Sequence, residues 1–186
     1  MRVLLVDDEE DRAATVSAGL TTAGCTVVAV APDAMQLTRR VRESGADVIV
    51  CALDDPSRDA LESMGALHRD EPRPVVVFAA RGDTDQIQAA LEAGVAAYVV
   101  EGLSPERVRP VIEVAILRFR AHQALRRELE EARASLAERK LIDAAKLRLM
   151  QQAKLSEPEA YKRLRRMAME RRIRLIDLAA EILTLS

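Results

Sequence analysis

The sequence predicts an α/β chain: a doubly wound five-stranded parallel sheet, then a long helix with a short coiled coil, then an all-α three-helix module. Three observations carry this. Five short apolar runs alternate with helical patterns over residues 1–117, the order that builds parallel sheets covered on both faces. From Ser104 to Arg139 the chain has helical periodicity and no stop signal. Beyond residue 138, apolar residues recur at helical spacing with no strand alternation.

Taken in order, Val3–Val6 is an apolar run that ends in Asp7-Asp8-Glu9-Glu10, a buried parallel strand delivering acids to its carboxyl end. Residues 11–23 follow as a helix closed by Gly24. Val27–Ala31 is the second strand, and Asp33–Gln36 opens a helix to about Glu43. Val48–Cys51 is the third strand, Arg58–Arg69 a helix and Pro74–Phe78 the fourth strand. Asp83–Gln86 caps a helix to Ala93, and Ala97–Val100 is the fifth strand. Ser104 and Pro105 suit the N-cap and first position of the next helix. Ligands of such a sheet are expected outside the carboxyl ends of its strands.

The first half of that last helix carries Val108, Val111, Ile112, Ala115, Ile116 and Phe119, a stripe wide enough to pack on a sheet. The second half narrows to Leu125, Leu129, Ala132 and Leu136, spaced 4-3-4 with charged flanks. This is the seam of a short two-stranded coiled coil, against the alternative of a solvated helix touching only its own domain. In the tail, Leu141, Ile142, Ala145 and Leu149 line one face of the first helix. Tyr161, Leu164 and Ala168 line the second, and Ile173, Ile176, Ala180 and Leu183 the third. Ser156 followed by Glu159 reads as a capping box with Pro158 in the first turn. The expected domains are 1–117, 118–138 and 139–186.

At 186 residues and 49% hydrophobic, the chain can bury a core in one ordinary domain and a smaller one. No apolar run approaches the ~18 residues of a membrane span, and Val3–Val6 is too short for a secretory signal. Cys25 and Cys51 are therefore expected to be buried, reduced thiols of a cytosolic protein, and with no His nearby they form no metal site. The net charge of −2 hides an asymmetry. Residues 1–117 hold 11 Lys/Arg against 20 Asp/Glu, residues 118–138 hold 5 against 4, and residues 139–186 hold 12 against 6. An acidic body with a basic tail points to a polyanion as the tail's partner, or to no more than a solvated helical surface.

Residues 1–117 resemble a response-regulator receiver domain, through Val3–Val6 with Asp7-Asp8, the Asp47–Leu53 strand with Pro56 after it, Phe78-Ala79-Ala80 and Ala97-Tyr98. The resemblance implies the flavodoxin-like strand order. It also implies two acids holding Mg²⁺, an Asp accepting a phosphoryl group, a Thr or Ser after the fourth strand and a Lys after the fifth. Here the acceptor position is Ala52, the hydroxyl position Ala79 and the Lys position Glu101. A methyl group cannot accept phosphate, and Glu101 inverts the required charge. Asp54 is the nearest substitute, displaced roughly 6–7 Å along the strand. Mg²⁺ could still sit at Asp7 and Asp8, with one ligand missing. The domain therefore reads as a pseudo-receiver regulated by binding, with Asp7, Asp8 and Glu101 an unneutralised acidic cluster that is either a leftover pocket or a docking surface.

The tail resembles the ANTAR module, an RNA-binding domain of transcription antiterminators, through Ala145-Lys146, Leu149-Met150, Leu155-Ser156-Glu157, Glu159-Ala160-Tyr161, Leu164-Arg165 and Ala168-Met169. Leu147 stands where that family usually has Gly. Over nearly its whole length the chain looks like NasT-type regulators of nitrate and nitrite assimilation, on Ala97–Gly102, Arg58-Asp59, Pro72–Pro74 and Gln123–Arg126. The resemblance implies a cytoplasmic antiterminator that binds paired leader-RNA hairpins as a homodimer. It also implies a nitrate/nitrite-sensing partner that sequesters the protein. The RNA contacts expected are Lys146, Lys162, Arg165, Arg166 and Arg172, the first and third matching the family pattern and the rest resting on charge. Tyr161, the module's one aromatic residue, is expected in its core by helical spacing. The alternatives are a DNA-binding helix-turn-helix output, which the apolar third helix disfavours, and a protein-binding adaptor. An enzyme is the weakest reading, for no nucleophile–base pair, phosphate loop or metal-ligand spacing appears.

Overall fold

The computed structural model describes residues 1–53, 56–100 and 105–184. The elements run β1 (Arg2–Asp7), α1 (Glu10–Thr22), β2 (Thr26–Ala31), α2 (Leu37–Ser44), β3 (Val48–Ala52), α3 (Arg58–Asp70), β4 (Val75–Ala79), α4 (Thr84–Glu92), β5 (Ala97–Val100), α5 (Pro105–Ala153), α6 (Glu157–Arg171) and α7 (Leu175–Thr184). The sheet is parallel throughout, in the order β2-β1-β3-β4-β5. The chain divides into two compact units, Met1–Gln123 and Ala124–Ser186.

In the first unit the apolar runs fill both faces of the sheet because successive side chains point to opposite sides. Leu4, Val6, Ile49, Cys51, Val75 and Val77 pack with Leu37 and Val41 of α2, Met64 and Leu67 of α3 and Ala90 of α4. The alternate set, Val3, Leu5, Val48, Val50, Val76 and Phe78, packs with Val16 and Leu20 of α1 and with Val108, Ile112 and Ala115 of α5. Each such buried Val, Leu or Ile contributes about 1.5–3 kcal/mol, which is why central strands this short hold their places. β1 and β3 lie side by side, Asp7 beside Ala52.

One boundary differs from expectation. Residues 33–36 do not begin α2: the Asp33 carboxylate accepts from the Met35 amide (2.9 Å), and Gln36 is left-handed at φ 53°. Asp33 closes a local turn with its own backbone, as Asx residues do, and the helix starts at Leu37.

In the second unit Ala145, Leu149, Ala160, Leu164, Ala168, Leu178 and Ala179 form the core. Two expected stripes are rotated by about one residue. Ala160, not Tyr161, starts the buried row of α6, and Tyr161 is 42% exposed. In α7 the buried pair is Leu178 and Ala179, with Ile176, Ala180 and Leu183 only partly covered. The α6 capping box forms: Glu159 Oε2 accepts from the Ser156 amide (2.8 Å) and hydroxyl (2.5 Å). Lys154 and Arg172, left-handed at φ 51° and 53°, follow α5 and α6 where glycine is commoner. Leu125, Leu129, Ala132 and Leu136 of α5 are solvent-exposed in the single chain.

Candidate functional site

At the carboxyl edge of the sheet, Asp7 is buried, its side chain wholly so. Arg12, on the first turn of α1, reaches back over it. Its Nε donates to Asp7 Oδ1 (3.0 Å), and its Nη2 donates to Asp8 Oδ1 (2.5 Å) and to the Ala52 carbonyl (3.2 Å). Nη1 lies 3.5 Å from Glu9 Oε2. The Glu9 amide adds a second donor to Asp7 Oδ1 (3.0 Å), while Asp7 Oδ2 has no hydrogen-bond partner among the described residues.

This corrects the expectation of an unneutralised cluster: at Asp7 and Asp8 the chain supplies its own cation. Asp54 and Glu101 lie outside the described residues. Ala52 and Ala79 are buried methyl groups at the ends of β3 and β4. A magnesium ion asks for several hard oxygens in near-octahedral array. Here Asp7 Oδ1, Asp8 Oδ1 and the Ala52 carbonyl all face one guanidinium, and Ala52 offers no carboxylate. The residues do not fit the ion. Among the described residues no group of three or more His, Cys, Asp or Glu is placed to hold a metal.

Sequence reasoning passed over Arg12, although its spacing from Asp8 is the i,i+4 of a helical ion pair. It also passed over His68, whose ring meets Phe119 edge-on (6.5 Å, 82°) and lies 6.4 Å from His122. These three rings line a cavity of ≈ 340 Å³ with Leu91, Gly94 and Arg118.

In the second unit nine of the basic residues from Lys146 onward fall into two groups. Lys146, Arg148, Arg171 and Arg174 are spent within the fold. Lys146 Nζ sits 2.7 Å from Asp143 Oδ1 and 2.8 Å from Glu157 Oε1 with 14% of its side chain exposed, tying α5 to α6. Hydrogen bonds to Asp143 and then Glu157 raise its pKa. Arg148 donates to the Leu183 carbonyl (3.3 Å) and Arg171 to Glu181 (2.6 Å). Arg174 grips Asp177 with two 2.9 Å bonds, which lower the Asp177 pKa. Lys162, Arg163, Arg165, Arg166 and Arg172 are exposed, and none makes an ion pair among the described residues. Of the expected RNA contacts, four stand on this free surface, and the fifth, Lys146, is a brace between helices. Leu147 is 56% exposed and lines a cavity of ≈ 300 Å³ with Asp143, Lys146, Met150 and Glu157.

Comparison with known proteins agrees with both halves. Residues 3–113 match the response regulator receiver domain and residues 130–183 the ANTAR domain. Over 182 residues the chain is 30% identical to the transcriptional regulatory protein PdtaR of Mycobacterium tuberculosis, across 98% of this chain and 89% of that protein. It is 38% identical over 101 residues to the transcriptional regulatory protein PrrA of Mycobacterium bovis, covering 54% of this chain and 43% of PrrA. Among solved structures it is similar to a two-component response regulator of the LuxR family from Aurantimonas sp. SI85-9A1, with TM-score 0.56 and 26% identity over 62% of this chain and 84% of that one. A CheY-like receiver domain protein from Methanospirillum hungatei JF-1 matches with TM-score 0.55 and 16% identity, over 65% and 97%. No described helix is long and apolar enough to cross a membrane.

Proposed function

Given that the chain belongs to the response-regulator receiver family and carries an ANTAR domain, we propose that it is a transcriptional regulator that binds hairpins of a leader RNA and prevents termination. The observation that carries this is the division of the tail's cations. Lys146, Arg148 and Arg171 tie the three helices to one another and Arg174 pairs locally with Asp177, whereas Lys162, Arg165, Arg166 and Arg172 are left facing solvent with no ion pair among the described residues. Guanidinium groups pair with phosphate and stack on splayed bases, which suits a hairpin loop better than a duplex. Lys146 takes the bracing role and leaves the contact set.

Control passes through a protein partner and not through a phosphoryl group. Ala52 cannot form an acyl phosphate, and Arg12 fills the place of the metal that such chemistry would use. A nitrate/nitrite-sensing protein is the partner that the NasT resemblance favours. The protein acts in the cytoplasm as a homodimer on RNA, joined through Leu125, Leu129, Ala132 and Leu136, whose exposure in the single chain supports this.

The test is a gel shift of the full chain on stem-loop RNA and on duplex DNA of the same sequence, at one stated salt concentration. The expected result is retention of the stem-loop alone. Preference for the duplex would replace this reading with a DNA-binding output, and indifference to both would favour an adaptor. In parallel, acetyl phosphate with Mg²⁺ is expected to leave no acid-labile label on the chain.

A further inference from the structure

Resting on the RNA reading above, we infer that Tyr161 and Met169 are a stacking site for an unpaired RNA base, with Arg165 between them. Tyr161, Arg165 and Met169 are spaced i, i+4, i+8 on α6, so their side chains stand one above another on one face. The neighbouring row, Ala160, Leu164 and Ala168, is the buried one. Tyr161 and Met169 are left 42% and 68% exposed. The Tyr161 hydroxyl makes no hydrogen bond among the described residues, and the ring is the only aromatic group in residues 124–186.

An uncovered aromatic ring and an uncovered thioether, a turn above and a turn below a guanidinium, make a surface with a flat apolar face and a charge at its centre. Duplex stems hide their bases and offer phosphates, for which Lys162 and Arg166 on the flank suffice. A base splayed out of a loop offers a π-face, which an aromatic ring holds by stacking and a polarisable sulfur can back. The occupant that fits is therefore a single unpaired base, with Arg165 reaching its edge or the adjoining phosphate. This divides the contact set into a loop-reading row, Tyr161-Arg165-Met169, and a stem-holding flank.

The chain makes the experiment simple, for it has no Trp and two Tyr. In a full-length Tyr98→Phe background, Tyr161 is the only tyrosine emitter. Stem-loop RNA that shifts this protein in a gel is expected to quench its tyrosine fluorescence. Tyr161→Ala is expected to weaken binding roughly tenfold or more, the scale of one lost base–aromatic stack, and Tyr161→Phe to bind like its parent. On a hairpin with abasic loop positions, Tyr161→Ala and parent are expected to bind alike. A thermal melt checks that Tyr161→Ala stays folded, as its exposure leads one to expect. Binding without quenching, or equal affinity of Tyr161→Ala and parent for the intact loop, would overturn the stacking site and leave the RNA reading standing. A Phe variant as weak as the Ala variant would overturn it in favour of a hydroxyl contact. Failure of the parent to shift any stem-loop would overturn the RNA reading and this inference with it.

Discussion

Replacing Arg12 by Met removes the cation paired with buried Asp7 while keeping most of the side-chain stem. Two unit charges about 3 Å apart attract by roughly 5–6 kcal/mol at an effective dielectric near 20, part of which desolvation cancels. Removing one partner of a buried pair typically costs roughly 3–5 kcal/mol, because the other charge is stranded. The Arg12 side chain is 25% exposed and that of Asp7 is not exposed at all, so screening sets the expected loss near the lower end, about 3 kcal/mol. Asp8 and Glu9, at 64% and 63% exposure, add little. With a urea slope of about 1–3 kcal/mol per molar, the first unit's transition should move down by roughly 1–3 M. Asp7→Asn in the Arg12→Met chain should recover much of the loss, a coupling that a double-mutant cycle reads directly. Millimolar magnesium should leave both the parent and Arg12→Met unmoved, since Ala52 still supplies no carboxylate. Should Arg12→Met unfold at the parent's midpoint, or magnesium raise the parent's, the tethered cation is not what neutralises this pocket.

The remaining predictions concern both units. Arg165→Ala should keep the parent's melting curve and reduce the slope of log affinity against log salt by roughly one, whereas Lys146→Ala should lower the second unit's thermal midpoint by loosening α5 from α6; equal salt slopes for Arg165→Ala and parent would count against the contact. Gly94→Ala should cost about 2 kcal/mol or more, since φ +91° is strained for any side chain and its Cβ would lie 2.4 Å from His68 Cγ. Adding His68→Ala should relieve the collision and not the backbone strain, as urea unfolding can show. Burial pushes the Cys51 thiol up to about 12 and raises that of Cys25, so a disulfide-exchange reagent should label neither in the folded chain near neutral pH and both in denaturant; rapid native labelling would contradict the burial of these strands.

The sheet was legible because its strands are continuous apolar runs, and runs such as Val48–Cys51 admit few alternatives once helices alternate with them. The start of α2 was not legible. Asp33 serves equally well as an N-cap or as the first residue of a local turn, and nothing in the tetrapeptide chooses between them. The acidic pocket was half legible: Ala52 and Glu101 tell that the phosphoryl chemistry is missing. That Arg12 folds back over β1 depends on the direction of α1 relative to the strand, which periodicity does not encode. In the tail, a stripe of apolar residues defines a face only to within about one position. Ala160 is small enough to sit against α5 and α7 and takes the buried row, leaving Tyr161 at its edge. Lys146 showed its ion-pair partner at Asp143 in the sequence, but Glu157 reaches it only across the break between α5 and α6.

The guanidinium over Asp7 also bears on how long a signal lasts. A switch written in acyl phosphate carries its own clock, since water removes the mark at a rate set by the site. A pocket closed by its own arginine has no mark to lose. On the reading proposed here, the interval between on and off is then the residence time of one protein on another, tuned by residues at that contact and indifferent to the cell's supply of phosphodonor.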